Sequence, residues 1–240
     1  MRKSIVLIAW LFLSSKICIA QLSYNFSNYS IGAGSGLTRA FADVAKQINK
    51  TAYFVNLNYN YSPFTTFTGE LQIGKLAGGD IVTDPYKRAF ENSFKAAIIY
   101  ADFQAGEYIE YRYSSFLNII KNFYAGTGIG VIHNSMSFIQ RTSLDDPGYI
   151  FPGQDASTEL MLPVRFGYEF KLYNSYHEPY IRINAGCQMN WVYGEGLDGY
   201  NDPPTKFKNH YVDRYGMIGA GIKYSFGNAV SYKKPIRAFY

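Results

Sequence analysis

In the stretch "LMLPVRFGYEFKL", Leu160 to Leu172, every even position is apolar or aromatic, while Arg165, Glu169 and Lys171 share the odd face with Met161, Pro163 and Gly167. A period of two is the signature of a strand whose faces meet different surroundings. The pattern recurs in "PYIRINAGCQMNWVY", where Ile181, Ile183, Ala185, Cys187, Met189, Trp191 and Tyr193 share one face, and in "AYFVNLNYNY". It predicts strands at 28–38, 52–61, 64–76, 91–104, 122–133, 159–172, 179–193 and 211–226. Helical periodicity is nearly absent. Soluble sheets typically use strands of about five or six residues. These are near the roughly 9 to 11 that a tilted strand needs to cross a bilayer.

The connections alternate in length. Ser62-Pro63 and "YNSYHE" are tight turns, whereas 39–51, 77–90, 134–158 and 194–210 are long and polar. Short turns belong on the periplasmic side of a membrane barrel and long loops outside. The connection 105–121 falls on the short side but is long. Its "SSFLNIIKN" spaces Phe116, Leu117, Ile119 and Ile120 as one amphipathic helical turn at the inner interface.

Size and charge decide which face is inside. An eight-stranded barrel is only just wide enough to be filled by side chains, so it cannot take the large residues of every strand. The opposite face carries Gly32, Gly34, Gly36, Gly126, Gly128, Gly130, Gly219 and Gly221, which suit a narrow lumen. With that face on lipid, Lys95, Arg165, Arg182 and Lys223 would each cost about 2 to 4 kcal/mol near mid-membrane. The sum rivals the stability of a whole domain. The large apolar face is therefore expected to meet lipid. Tyr59, Tyr61, Phe67, Phe170, Tyr224 and Phe226 would form an inner aromatic girdle, and Tyr53, Trp191 and Tyr193 an outer one. The reading is an all-β, eight-stranded antiparallel up-and-down transmembrane β-barrel.

The first twenty residues add a compartment. Arg2 and Lys3 precede an apolar run from Ile5 to Leu13, and Ala20 offers a cleavage point, the layout of a secretory signal peptide. The domain reading is therefore signal peptide 1–20, barrel 21–226 and C-terminal extension 227–240. Removing Arg2, Lys3 and Lys16 from 23 basic residues leaves 20 against 18 acidic ones, a net charge of about +2 that excludes a nucleic-acid partner. Cys187 is the one cysteine of the mature chain, so no internal disulfide is expected.

Three stretches carry a resemblance: the glycine-rich "YSIGAGSGLTRA", the segment "FYAGTGIGVI" and "YGMIGAGIKYSF" ending on Phe226. On these the chain resembles the small outer-membrane β-barrels of Gram-negative bacteria, those similar to the OmpA transmembrane domain. The resemblance implies outer-membrane localisation, with lipid, lipopolysaccharide and the barrel-assembly machinery as partners. In that family a terminal aromatic is read during assembly. Here "GNAVSYKKPIRAFY" follows Phe226, so an internal signal or Tyr240 would serve. No peptidoglycan-binding domain is seen, and that tethering role does not carry over.

The candidate chemistry is charge rather than catalysis. Glu70, Glu91, Lys95, Arg165, Glu169, Lys171, Arg182, Asp213 and Lys223 are assigned to the lumen, where buried charges must pair. Arg39, Lys75 and Arg214 fall near the outer strand ends on the lipid face, and lipopolysaccharide phosphate suits them. "HNS" places His133 and Ser135 on one face with a spacing similar to the His-x-Ser pair of lipid A deacylases, Asp145 or Asp146 being a loose third member. His133, His177 and His210 are scattered, so neither metal nor other cofactor is expected. The Gly-x-Gly runs lead into no helix and are not phosphate loops. Loop aromatics Tyr149, Phe151, Tyr200 and Phe207, with Ile150, either reach an extracellular ligand or pack on one another. The function expected is a filled-lumen outer-membrane protein with a structural or surface-interaction role. The alternatives are a narrow gated pore, a secreted lipocalin-like binding barrel and, last, a deacylase. Pro163 cannot donate a ladder hydrogen bond, so a bulge or local break is expected there.

Overall fold

The computed structural model describes residues 24–111, 113–203 and 213–234. The expected signal peptide, Phe207, His210 and the last residues to Tyr240 lie outside the described residues. Eight strands follow in chain order: β1 Tyr24–Phe41, β2 Gln47–Asn60, β3 Thr65–Gly79, β4 Ala89–Gln104, β5 Phe123–Ile139, β6 Ala156–Tyr173, β7 Pro179–Tyr193 and β8 Arg214–Tyr232. Each pairs antiparallel with its sequence neighbour, and β8 returns to β1, closing the barrel. Closure leaves no sheet edge, so every strand finds a backbone partner on both sides, as hydrocarbon requires.

The closing seam shows why the glycines are there. Gly34 lies opposite Gly221 and Gly36 opposite Gly219. A methyl group on Gly34 would come within 2.4 Å of the Ala220 carbonyl oxygen and 2.7 Å of the Gly221 Cα. The last strand continues past Phe226, and Tyr232 pairs with Tyr24. The inner turns are fixed by side chains. Ser62 Oγ accepts from the amides of Phe64 and Thr65 at 3.1 and 2.9 Å. Asn174 Oδ1 accepts from Tyr176 and Glu178, both at 2.9 Å. The connection after β4 holds a 3-10 turn, Ala105–Glu107, and the helix α1, Ser115–Ile120, whose N-terminal amide of Leu117 is capped by Ser114.

Leu160, Phe166, Ile129 and Ile218 point outward and are more than half exposed. An apolar surface of this extent has no place in water. Closed strands with such a belt outside and polar side chains within are the architecture of outer-membrane barrels, and this chain spans that membrane.

One expectation needs correction. In β4 the inward face is Phe90, Asn92, Phe94, Ala96, Ile98, Tyr100 and Asp102, so Glu91 and Lys95 lie on the outer face instead of the lumen. The sequence misleads because "FENSFKAAIIYADF" carries large apolar residues at both phases, and alternation cannot choose between them. Register chooses: Lys95 stands opposite Ile73 and His133, both outward. The interior consequently holds large apolar residues after all, the main cluster in its outer half, where Phe94 and Tyr215 rings meet at 5.2 Å near Ile98, Ile132 and Met161, with Phe26 and Phe64 buried at the inner end.

At Pro163 the expected irregularity is present. Pro163 pairs with Asn190 in regular register on the β7 side. On the β5 side the ladder stops at Thr127–Val164 and resumes at Gly130–Met161 without a register shift. Of the two forms expected, bulge or local break, the ladder takes the local break. Thr127 Oγ1 spans it by donating to the Pro163 carbonyl at 2.9 Å.

Candidate functional site

The lumen is filled in tiers. At its waist, Arg165 reaches in from β6 and stacks on the Tyr100 ring at 3.7 Å, a contact worth more where water is excluded. Its Nε lies 3.3 Å from Asp102 and its Nη1 3.7 Å from Glu70, and Nη1 donates to Gln188 Oε1 at 2.9 Å. Glu70 is held in turn by Tyr100 Oη at 2.8 Å and Gln72 Nε2 at 2.7 Å. The cavity beside Arg165, Glu70, Tyr124 and Asn184 is about 20 Å³, room for a single water.

The inner tier gathers on Glu169. Lys223 approaches it at 3.5 Å, Lys171 and Arg182 at 3.9 Å, and Gln104 Nε2 donates to it at 3.0 Å. Lys171 Nζ also donates to the Pro63 carbonyl and Gln104 Oε1. Arg182 crosses the barrel from β7 to donate to Asn60 Oδ1 of β2 at 2.8 Å. The structure thus brings Glu70, Arg165, Glu169, Lys171, Arg182 and Lys223 into the interior. Sequence reasoning missed Asp102, because the phase of β4 was misread.

Asp213 is buried at the outer mouth, away from this network. There the segment 194–203 folds over the opening. Asn92 Nδ2 donates to the Leu197 carbonyl at 2.9 Å, and Arg88 pairs with Asp202 at 3.2 Å. The Tyr200 hydroxyl lies 3.0 Å from the carbonyls of Ala89 and Gln140, its ring 5.6 Å from Phe151. Phe151 and Tyr200, candidates for ligand contact, are buried in loop packing, while Ile150 stays exposed.

Burial raises the carboxyls of Asp198, to about 7, and of Asp213, well above the usual range; neighbouring acids Asp198, Glu195 and Asp43 push Asp213 further. The closed lid therefore binds protons more tightly than the open one. Its stability is fully present below about pH 4 and is lost as pH rises through the raised values. Amide exchange in 194–203, corrected for intrinsic rates, should be slower at pH 5 than at pH 8, and Asp198→Asn should flatten the difference. Equal protection at both pH values would defeat the linkage.

On the outer wall, β1 and β8 place the Arg39 and Arg214 guanidiniums on Phe41, at 6.0 and 5.8 Å from its ring centre, with Trp191 opposite Arg214. Lys75 is elsewhere. It and Lys50 both grip Glu91 at 2.7 Å, beside the irregularity in β2 between Ile48 and Ala52. His133 and Ser135 share the outer face, but His133 Nδ1 is bonded to Thr158 Oγ1 at 2.8 Å, not to Ser135. Asp145 and Asp146 are exposed in the loop. Among the described residues no group of three or more His, Cys, Asp or Glu is placed to hold a metal.

No family model matches the chain, and no curated protein sequence matches it. Among solved structures it is similar to Neisserial surface protein A (TM-score 0.47, 11% identity, covering 83% of this chain and 98% of that one). It is also similar to the attachment invasion locus protein Ail of Yersinia pestis (0.42, 15%, 82% and 99%) and to a major outer membrane protein of Thermus thermophilus (0.43, 12%, 82% and 99%). The barrel itself is established by the strand ladder described above.

Proposed function

We propose that the chain is a non-enzymatic outer-membrane barrel with a closed lumen, serving a structural or surface-interaction role. The observation that carries this is the double closure: an ionic fill around Arg165 and Glu169, and a lid of 194–203 tied to β4 and β6. Burying such groups is favourable only when they are mutually paired, which opposes an open water path. Purified protein in planar bilayers should give no discrete channel events; reproducible unitary currents would replace this reading with the gated pore. Ile81, Val82, Leu144 and Ile150 remain exposed on the outer loops, which supports contact with an extracellular ligand.

The outer rim supports a second partner, lipopolysaccharide. Arg39 and Arg214 flank an aromatic ring at an outer strand end, where paired guanidiniums suit phosphate. Lys75 is already held, with Lys50, by Glu91. An Arg39→Ala/Arg214→Ala double variant should lose affinity for lipopolysaccharide several-fold, and Lys75→Ala much less. Unchanged affinity in the double variant would remove lipopolysaccharide from the reading. The barrel-assembly machinery is the expected folding partner, with Phe226 an internal strand aromatic available to it.

A further inference from the structure

We propose that the inner tier of the lumen is a binding site for one small monovalent anion of halide size. Lys171, Arg182 and Lys223 converge there on one carboxylate, Glu169, and none approaches it closer than 3.5 Å. The two acids of the waist, Glu70 and Asp102, are engaged by Arg165. The waist and inner tiers together hold four cations, Arg165, Lys171, Arg182 and Lys223, against three carboxylates, Glu70, Asp102 and Glu169, all with side chains at most 7% exposed, and this excess of one positive charge is an imbalance that low dielectric penalises heavily.

The hydrogen bonding locates the missing partner. Arg182 is completely buried, and Nη1 is occupied by Asn60, but Nε and Nη2 have no acceptor. Those two N–H groups form the side fork that grips an anion bidentately. Arg182 stands opposite Lys223 in the ladder, and Lys223 is followed on the same face by Ser225, which stands opposite Ser30. The hydroxyls of Ser225 and Ser30 are buried and also without partners. Arg182 passes over these two strands to reach Asn60, so its open fork and two free hydroxyl donors lie in one small region. Water would satisfy the donors but would leave the charge uncompensated. An anion does both.

Crystals of the wild-type barrel grown with bromide replacing chloride should show an anomalous peak in the lumen, against the Arg182 fork and the two serines. Peaks confined to surface lysines, or none, would overturn the site. In detergent, the unfolding temperature should rise with bromide to a plateau at ionic strength held constant with gluconate, which is too bulky to be enclosed. Ser225→Asp supplies the countercharge covalently, so it should refold, and its bromide-dependent shift should vanish. A Ser225→Asp barrel that fails to refold, or keeps the full shift, would equally refute the assignment.

Discussion

Glu169→Leu is expected to cost the refolded barrel about 3 to 5 kcal/mol, the penalty for leaving buried charge without its partner. Glu169 is the carboxylate on which Lys171, Arg182 and Lys223 all converge, and Gln104 Nε2 also donates to it. Leucine fills similar volume, so the loss is electrostatic. Urea titration read by heat-modifiable migration on gels measures it, and Glu169→Gln separates charge from packing because an amide can still accept from Gln104. Both variants should shift the midpoint by comparable amounts. Adding Lys223→Leu to Glu169→Leu should recover part of the loss, since one of the stranded charges is then gone. A midpoint unchanged in Glu169→Leu would mean that the inner tier contributes no specific stability.

Gly128→Val is expected to prevent normal closure between β4 and β5. A Cβ at Gly128 would lie 2.0 Å from the Ile99 carbonyl oxygen and 2.6 Å from the Tyr100 Cα. Both are backbone atoms of the neighbouring strand, so no side-chain rotation relieves the clash. Overpacking of a rigid core usually costs about 1 to 3 kcal/mol; here the strand itself must move, and the cost should reach or exceed the top of that range. The position is doubly sensitive because the β5–β6 ladder is already interrupted opposite Pro163. The measurable outcome is a loss of the compact, heat-modifiable band after refolding. A valine variant with wild-type yield and unfolding midpoint would show that β5 tolerates displacement at its centre. Gly69 offers the contrast: a Cβ there meets nothing within 4 Å, so Gly69→Val should refold normally.

Much of the barrel was legible in the chain. Over most of their length the period of two in β2, β6, β7 and β8 sorts large apolar from polar or small residues, with Phe54, Met161, Val192, Tyr215 and Met217 the inward exceptions, and both the strand count and the outward direction of the apolar face follow from it. The tight turns at Ser62 and Asn174 and the helical spacing of "SSFLNIIKN" were equally readable, because each depends on residues adjacent in sequence. Where both phases of a strand were apolar, as in β4, the chain carried no decision, and Glu91 and Lys95 were assigned to the wrong face. That Arg39 and Arg214 become neighbours followed from closure of the last strand on the first; the Phe41 ring that both meet did not, because 39–51 was read as a loop. The capture of Lys75 by Glu91 depended on the phase of β4 and could not be foreseen while that phase was misread.

The sequence by itself determined the architecture: eight long strands, short inner turns, an apolar wall and a narrow interior. Only the tertiary structure decided which charges meet, that an apolar cluster fills part of the outer half of the lumen, and that 194–203 folds over the mouth. Alternation reports a residue's face, a property of one strand. Whether Arg165 lies on Tyr100, or Arg182 reaches Asn60, depends on register summed around a closed ring, and each step of that sum is set by contacts between residues far apart in the chain.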